Sequence, residues 1–386
     1  MVFGVFFSII GVIACAIWGI DVYMAFYTWS SRIKVGRYKT GLEWLAKSEK
    51  VVTRWLKRTP TVKKKDNNRY IVLDMIKGEY RSSTIQSWQE AGLLMGIADK
   101  DIQHKVLEKH IDLKSGCWRN IPQEIDSAML AFQLLKNSKN PSEIKSAMDE
   151  MVRLIESRCE DGYIWYRTYA KKNLYVDTIG LVCPFLVLYG KTYDAPQYIE
   201  LGLNQILTYK DKGMLENYMI PCHAYDIERE IPLGIYGWGR GLGWFLLGVI
   251  ESYLCLKEKE RSEWFCELTK ELAETILEFQ QEDGGLGSNL AIKTSYDSSI
   301  TAIAGYYLAI CYNEFDEKRY KEGAQKCMKK LMSVTKRTGV LDLCQGDTKG
   351  VGLYSSHYDI MPFAQGIALA VGNIIEREWK KNEFKI

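Results

Sequence analysis

The sequence lacks most of the signatures by which a reactive or binding site shows itself in one dimension. There is no GxSxG elbow, no phosphate-binding loop and no HExxH zinc helix, which removes the common serine-hydrolase, nucleotide-binding and zinc-peptidase readings. Charge of one sign is also scarce. The 51 Lys and Arg nearly balance 48 Asp and Glu, for a formal net charge of +3, and Lys63-Lys64-Lys65 is the longest basic run. No nucleic-acid partner is therefore expected. The ten cysteines are scattered, without the closely spaced pairs of a zinc site or a dithiol redox centre. Cys183, Cys255, Cys311 and Cys327 fall within apolar helical patterns and read as reduced packing residues. Four histidines, His104, His110, His223 and His357, are too dispersed to suggest a metal site by spacing.

What is present begins with an uncharged run from Val2 to Ile20, long enough as a helix to reach roughly 30 Å across a bilayer. No Lys or Arg precedes it, whereas Arg32, Lys34, Arg37 and Lys39 follow. The positive-inside rule then places the rest of the chain in the cytoplasm. A cleaved signal peptide fits less well, because neither a basic leading region nor a small-residue cleavage site is evident. The expected organisation is a transmembrane anchor over 1–28, a basic juxtamembrane linker over 29–40, and one domain over 41–386. The alternative for the first segment is an apolar helix packed on that domain.

Beyond the anchor, two kinds of helical pattern alternate. In one, apolar residues form a single stripe: Ile144, Met148, Met151 and Ile155 behind Asn140-Pro141-Ser142; Phe265, Leu268, Leu272, Ile276 and Phe279; Tyr320, Ala324, Cys327 and Leu331. Shorter stripes occur at Leu45 to Leu56 and Ile199 to Ile206. The other kind is small and apolar all round, as in residues 87–94, 125–132, 176–181, 241–247, 296–302 and 361–368. One-sided stripes belong to an outer layer and all-round apolar stretches to an inner one. Six inner candidates, most of them preceded by an outer one, predict an all-α ring of six hairpins, an (α/α)6 barrel. The outer member before residue 125 is the weak case, because Asp101 to His110 is short and polar.

Three inner segments open on related text: Ile125-Asp126-Ser127-Ala128, Val176-Asp177-Thr178-Ile179 and Tyr296-Asp297-Ser298-Ser299. Asp, Ser and Thr at a helix start accept exposed backbone N–H groups, so capping explains each acid by itself. In a ring of parallel inner helices, however, these starts share one mouth, and a residue there also faces the cleft. The 11 Trp and 24 Tyr suit either sugar stacking or core filling.

At this point the residues resemble a known family. Val176-Asp177-Thr178 with Cys183-Pro184-Phe185-Leu186, His223 with Asp226, and Trp238-Gly239-Arg240-Gly241-Leu242-Gly243-Trp244 are similar, in order and spacing, to the unsaturated glucuronyl and rhamnogalacturonyl hydrolases, glycoside hydrolase families 88 and 105. That resemblance implies an (α/α)6 barrel acting on acidic oligosaccharides that end in a 4,5-unsaturated uronic acid. A carboxylic acid protonates C4, water adds at C5, and the resulting hemiketal opens to release the next sugar. By the same resemblance Asp177 is the general acid and base and Asp126 its partner carboxyl. His223, Arg240 and Trp244 would line the sugar site, with Arg167 as a further basic residue and Trp88 as an aromatic wall. Ser355 and Ser356 would hold the uronate carboxylate. No metal or organic cofactor is implied, since side chains and water can carry protonation and hydration. The chain departs from the family text at Leu242, where Asn is common, and at Gly239, where Ala is common. An ordinary glycosidase of the same fold using two carboxylates directly, and a non-catalytic carbohydrate-binding protein, remain the alternatives.

Overall fold

The alternation of one-sided and all-round apolar stretches becomes six helical hairpins. The computed structural model describes residues 2–66 and 71–380. In chain order its helices are α1 (Val2–Ser31), α2 (Gly41–Lys57), α3 (Ile71–Ile76), α4 (Gln86–Gly96), α5 (Lys100–His110), α6 (Ala128–Asn137), α7 (Lys145–Glu156) and α8 (Val176–Leu181). These are followed by α9 (Cys183–Thr192), α10 (Pro196–Gly213), α11 (Gly239–Cys255), α12 (Glu263–Phe279), α13 (Ser298–Phe315), α14 (Lys318–Val334) and α15 (Pro362–Gly372). The outer layer is α2, α5, α7, α10, α12 and α14. The inner layer is α4, α6, α8 with α9, α11, α13 and α15. Each inner helix packs on its neighbours around the ring, and α15 closes it against α4.

The burial pattern supplies the reason for the two layers. Along α7 only the stripe of Ala147, Met148, Met151, Val152 and Ile155 is buried, so its other face is free to meet water. Along α11 every residue from Gly239 to Tyr253 is buried, which requires neighbours on all sides. The polar stretch before residue 125 does form the expected outer helix. Asp99 caps α5 by accepting from the N–H groups of Asp101 and Ile102, and Val106 and Leu107 bury its inner side.

Ring closure depends on bare backbone. A methyl group at Gly92 would meet the backbone of Phe363, and one at Gly366 would meet the carbonyl of Gly92. The inner helices start on one side of the ring, and the loops there carry short antiparallel ladders. The longest has three strands, with Asn173–Tyr175 pairing Ala224–Asp226 and the latter pairing Ile231–Leu233.

Helix α1 is long and apolar enough to cross a membrane, and none of its residues is buried. Partial cover is confined to Ile17, Asp21, Met24, Thr28, Ser30 and Ser31, mostly one stripe at helical spacing. The expected boundary at residue 28 falls inside this helix, which runs on to Ser31. The segment over 29–40 is docked on the domain rather than loose. Arg32 Nε donates to Asp342 Oδ2 at 2.7 Å, the Gly36 N–H donates to the Thr335 carbonyl at 3.0 Å, and the Tyr38 hydroxyl donates to the Lys336 carbonyl. Asp342 is only 2% exposed; a buried carboxylate needs cations, and Arg32 together with Lys336 at 3.5 Å supplies them.

Candidate active site

At the side where the inner helices begin lies a cavity of about 750 Å³. Its lining includes Trp88, Tyr166, Arg167, Tyr175, Asp177, His223, Arg240, Trp244, Asp347, Thr348 and Lys349. The three recurring acids divide into two kinds near it. Asp297 is fully buried and works as a cap: Oδ1 accepts from the N–H groups of Ser299 at 2.8 Å and Gln345 at 3.0 Å, and Oδ2 accepts from the Ser299 hydroxyl at 2.7 Å. Asp126 and Asp177 cap nothing, for neither inner segment has a side-chain cap bond. Asp126 Oδ1 and Asp177 Oδ2 are buried without a hydrogen-bond partner. Polar atoms left free in such a place carry a desolvation cost unless water or a ligand meets them.

The three-stranded ladder brings Asp177 and His223 together. Tyr175 is opposite Ala224, and the next step of the pairing is the Val176 N–H donating to the His223 carbonyl at 3.1 Å. One residue further on, His223 Nε2 stands 3.5 Å from Asp177 Oδ2, within ion-pair range when the imidazole is protonated. The imidazole is fixed by rings: its centroid is 4.5 Å from that of Trp238, 5.5 Å from Tyr354 and 6.0 Å from Tyr175, the last at a right angle.

Asp126 occupies the short turn before α6 and is 2% exposed. Burial pushes its carboxyl up to about 6; the nearby Arg167 guanidinium opposes the rise, while Glu124, Asp177 and Asp347 add to it. Arg167 Nη2 is 3.9 Å from Asp126 Oδ2, and its other terminal nitrogen reaches Glu124 at 3.5 Å, so burial still outweighs it. Arg167 also lies over the Tyr166 ring, 4.1 Å from its centroid. The result is a carboxyl that keeps its proton into the range where many enzymes work.

Arg240 is 2% exposed and enters the cleft from the first turn of α11. Its guanidinium donates to the Gln345 carbonyl at 2.8 Å and to the Gly346 carbonyl, so it also fastens the loop that follows. Trp88 and Trp244 meet edge to face at 5.4 Å, and Phe363 stacks on Trp244 at 5.3 Å. Both indoles are mostly core, with an edge in the cleft wall.

The two serines depart from expectation. Neither lines the cavity. The Ser355 hydroxyl donates to Asp66 Oδ1 at 2.6 Å, and the Ser356 N–H donates to Asp66 Oδ2 at 2.9 Å. Asp66, from the loop before α3, has claimed them. The cleft is instead supplied by Asp347, Thr348 and Lys349, which the sequence did not reveal. Burial raises the Asp347 carboxyl, against the pull of Arg240 and Lys349. Gly346-Asp347-Thr348-Lys349-Gly350 belongs to a loop with no periodicity to read; its glycine punctuation was the only available signal.

Both departures from the family text have local causes. Leu242 is fully buried and outside the cavity lining. A methyl group at residue 239 would collide with the Gly287 carbonyl, so the close approach of that loop requires glycine. Among the described residues no group of three or more His, Cys, Asp or Glu could hold a metal ion.

A family model described as Glycosyl Hydrolase Family 88 matches residues 47–377. Solved structures of similar fold include a possible member of the GH105 family from Salmonella enterica serovar Paratyphi A, with TM-score 0.72 and 17% identity over 89% of this chain and 96% of that one. An unsaturated glucuronyl hydrolase specific for heparin has TM-score 0.66 and 17% identity over 88% of this chain and 98% of that one. The unsaturated glucuronyl hydrolase of Bacillus sp. GL1, described as responsible for glycosaminoglycan degradation, has TM-score 0.61 and 16% identity over 88% and 97%. At such identities the likeness is one of fold. No curated protein matches the sequence significantly.

Proposed function

The chain belongs to Glycosyl Hydrolase Family 88, and on that footing we propose that it hydrolyses oligosaccharides ending in a 4,5-unsaturated uronic acid. The observation that carries this is the pair Asp126 and Asp177, two buried acids that cap no helix, each with an unpartnered oxygen: Asp177 lines the cavity, and Asp126 lies just behind the lining, 3.9 Å from the cleft residue Arg167. A carboxyl there can give and take a proton with little competition from water.

Asp177, with Oδ2 free and His223 beside it, delivers its proton to C4 of the vinyl ether. Positive charge then develops at C5 and the ring oxygen. Water attacks C5 and returns a proton to the Asp177 carboxylate. The product is a hemiketal, which opens at C5 to a ketone; the aglycone, then held on a hemiacetal at C1, departs as an alcohol. Asp126 supplies the second carboxyl, and its charge is set by a proton affinity near 6. Arg167, Arg240 and Lys349 make the same cleft cationic enough to receive the uronate carboxylate. Thr348 and Lys349 take the place of the two serines that Asp66 holds. Trp88 and Trp244 offer apolar edges to the sugar faces.

The apolar α1 and the basic residues after it support a single-pass anchor with the catalytic domain on the cytoplasmic side. The activity is tested by incubating the protein with lyase-generated oligosaccharides and following the loss of ultraviolet absorbance of the conjugated uronate. Asp177→Asn should lower the rate by a factor on the order of 10² to 10⁴. Full activity of that variant, or turnover of saturated glycosides only, would overturn the reading.

A further inference from the structure

The base of α1 is attached at the mouth of the ring. Arg32, the first residue after the helix, holds Asp342, and donates at 3.1 Å to the Tyr358 carbonyl. The Asp342 carbonyl accepts from the Ser298 hydroxyl at 2.6 Å, and the Leu343 carbonyl from the Ser298 N–H at 3.0 Å, at the first residue of inner helix α13. Gln345, two residues on, receives Arg240 of the cleft. The helix therefore leaves the domain from the rim on which the cleft opens, not from the back of the ring.

Following α1 upward from Arg32, Asp21 lies about 16 Å away along the helix. It is the first charge after the apolar run and so marks the edge of a hydrocarbon layer. At that level Asp21 Oδ1 accepts from the Val72 N–H at 3.2 Å and joins α1 to α3. Helix α3 buries Ile71 and Asp74 and shows Leu73, Met75 and Ile76 to the outside, exposed by 38, 44 and 74%. Around them Lys64, Lys77 and Arg81 are exposed, while the nearby acids Asp74 and Glu79 are both engaged by Lys65.

We infer that α3 and its basic flanks lie in the headgroup layer of the bilayer that α1 crosses, holding the cleft mouth toward the membrane so that the enzyme works on uronyl saccharides carried at the membrane surface. This rests on α1 being a membrane anchor. The occupant of the α3 surface is lipid for three reasons. The patch is continuous with the exposed apolar face of α1, it stands at the height of the first charge, and its surplus of basic side chains suits anionic headgroups. With the mouth set roughly 16 Å below the membrane boundary, a saccharide tethered to lipid meets the cleft end on. A long free polymer has to enter from the side.

The experiment uses the full chain reconstituted in phosphatidylcholine vesicles, with and without phosphatidylglycerol. The photo-cross-linking residue benzoylphenylalanine replaces Leu73 or Ile76, and in a control replaces the exposed Asp316 between α13 and α14, on the opposite side of the ring. After irradiation, lipid adducts are measured by mass spectrometry. The inference expects adducts at 73 and 76 several-fold above those at 316, and more of them with the anionic lipid. Adducts at 316 but not at 73 or 76, or at none of the three, in protein that resists carbonate extraction overturn the orientation and leave the anchor standing. Release of the protein by carbonate overturns the anchor and the orientation with it.

Discussion

Asp126 shows what a single residue can cost and supply. Its folded carboxyl holds a proton up to about 6, above the usual value of 3.8, so the native state binds more protons than the unfolded chain between those values. The Asp126 contribution to stability is therefore fully present below pH 4, falls as pH rises toward 6, and is lost above it. The loss amounts to about 3 kcal/mol. Asp126→Asn should remove that slope: denaturant unfolding at pH 4 and pH 7 should show the variant gaining on the wild type by up to about 3 kcal/mol at the higher pH. An unchanged gap would mean that Asp126 is not held neutral by burial. Lys349 makes a different residue-scale case, since it is exposed and lines the cleft. Lys349→Ala should raise KM for uronyl substrates by roughly tenfold, about 1.4 kcal/mol, with a smaller change in kcat. The effect should shrink in high salt. The acids at helix starts could be named from sequence, but text alone could not separate Asp297, which caps, from Asp126 and Asp177, which do not. That difference is made by where the neighbouring N–H groups happen to point.

At the scale of elements, helix layers could be read from periodicity because an outer helix wets one face and an inner helix none. α5 was the hard case: its stripe is short, and the Asp99 cap supplies the start signal. The pairs across the ring were not legible. Nothing in the local text of Gly92 or Gly366 says that α4 and α15 must touch backbone to backbone. Gly366→Ala should test that closure. The added methyl is aimed at the Gly92 carbonyl and the Leu93 Cα, and overpacking of this kind costs typically 1–3 kcal/mol. Thermal and urea unfolding should both report the loss. The same change at Gly78, where a methyl would meet nothing within 4 Å but φ is +68°, should act only through backbone strain.

For the whole molecule, a reporter fused to the C-terminus should be active in the cytoplasm and inaccessible to protease added outside intact cells, if α1 is a single-pass anchor following the positive-inside rule. A protease-sensitive C-terminus would reverse the orientation and with it the reducing surroundings of the cysteines. The docking of residues 32–38 on Asp342, Thr335 and Lys336 adds a mechanical consequence: α1 and the cleft are joined without a slack tether, so the orientation of one follows the other. Local text carries no hint of this, since a run with Arg32, Lys34, Arg37 and Lys39 looks like any basic flank. Only the fold carries a buried Asp342 to meet one of them.

By itself the sequence determined the number of hairpins, their layering, the apolar helix at the N-terminus and the placing of acids at inner-helix starts. Each of these depends on local periodicity or on residue type, which a chain carries wherever it goes. The tertiary structure decided which acids are free, that Asp66 takes the two serines, that an aperiodic loop delivers Asp347, Thr348 and Lys349, and which side of the ring α1 leaves from. Those are contacts between residues far apart in the chain. Their outcome depends on competition among all the partners that folding brings within reach, and burial then fixes the charge on whatever is left unpaired.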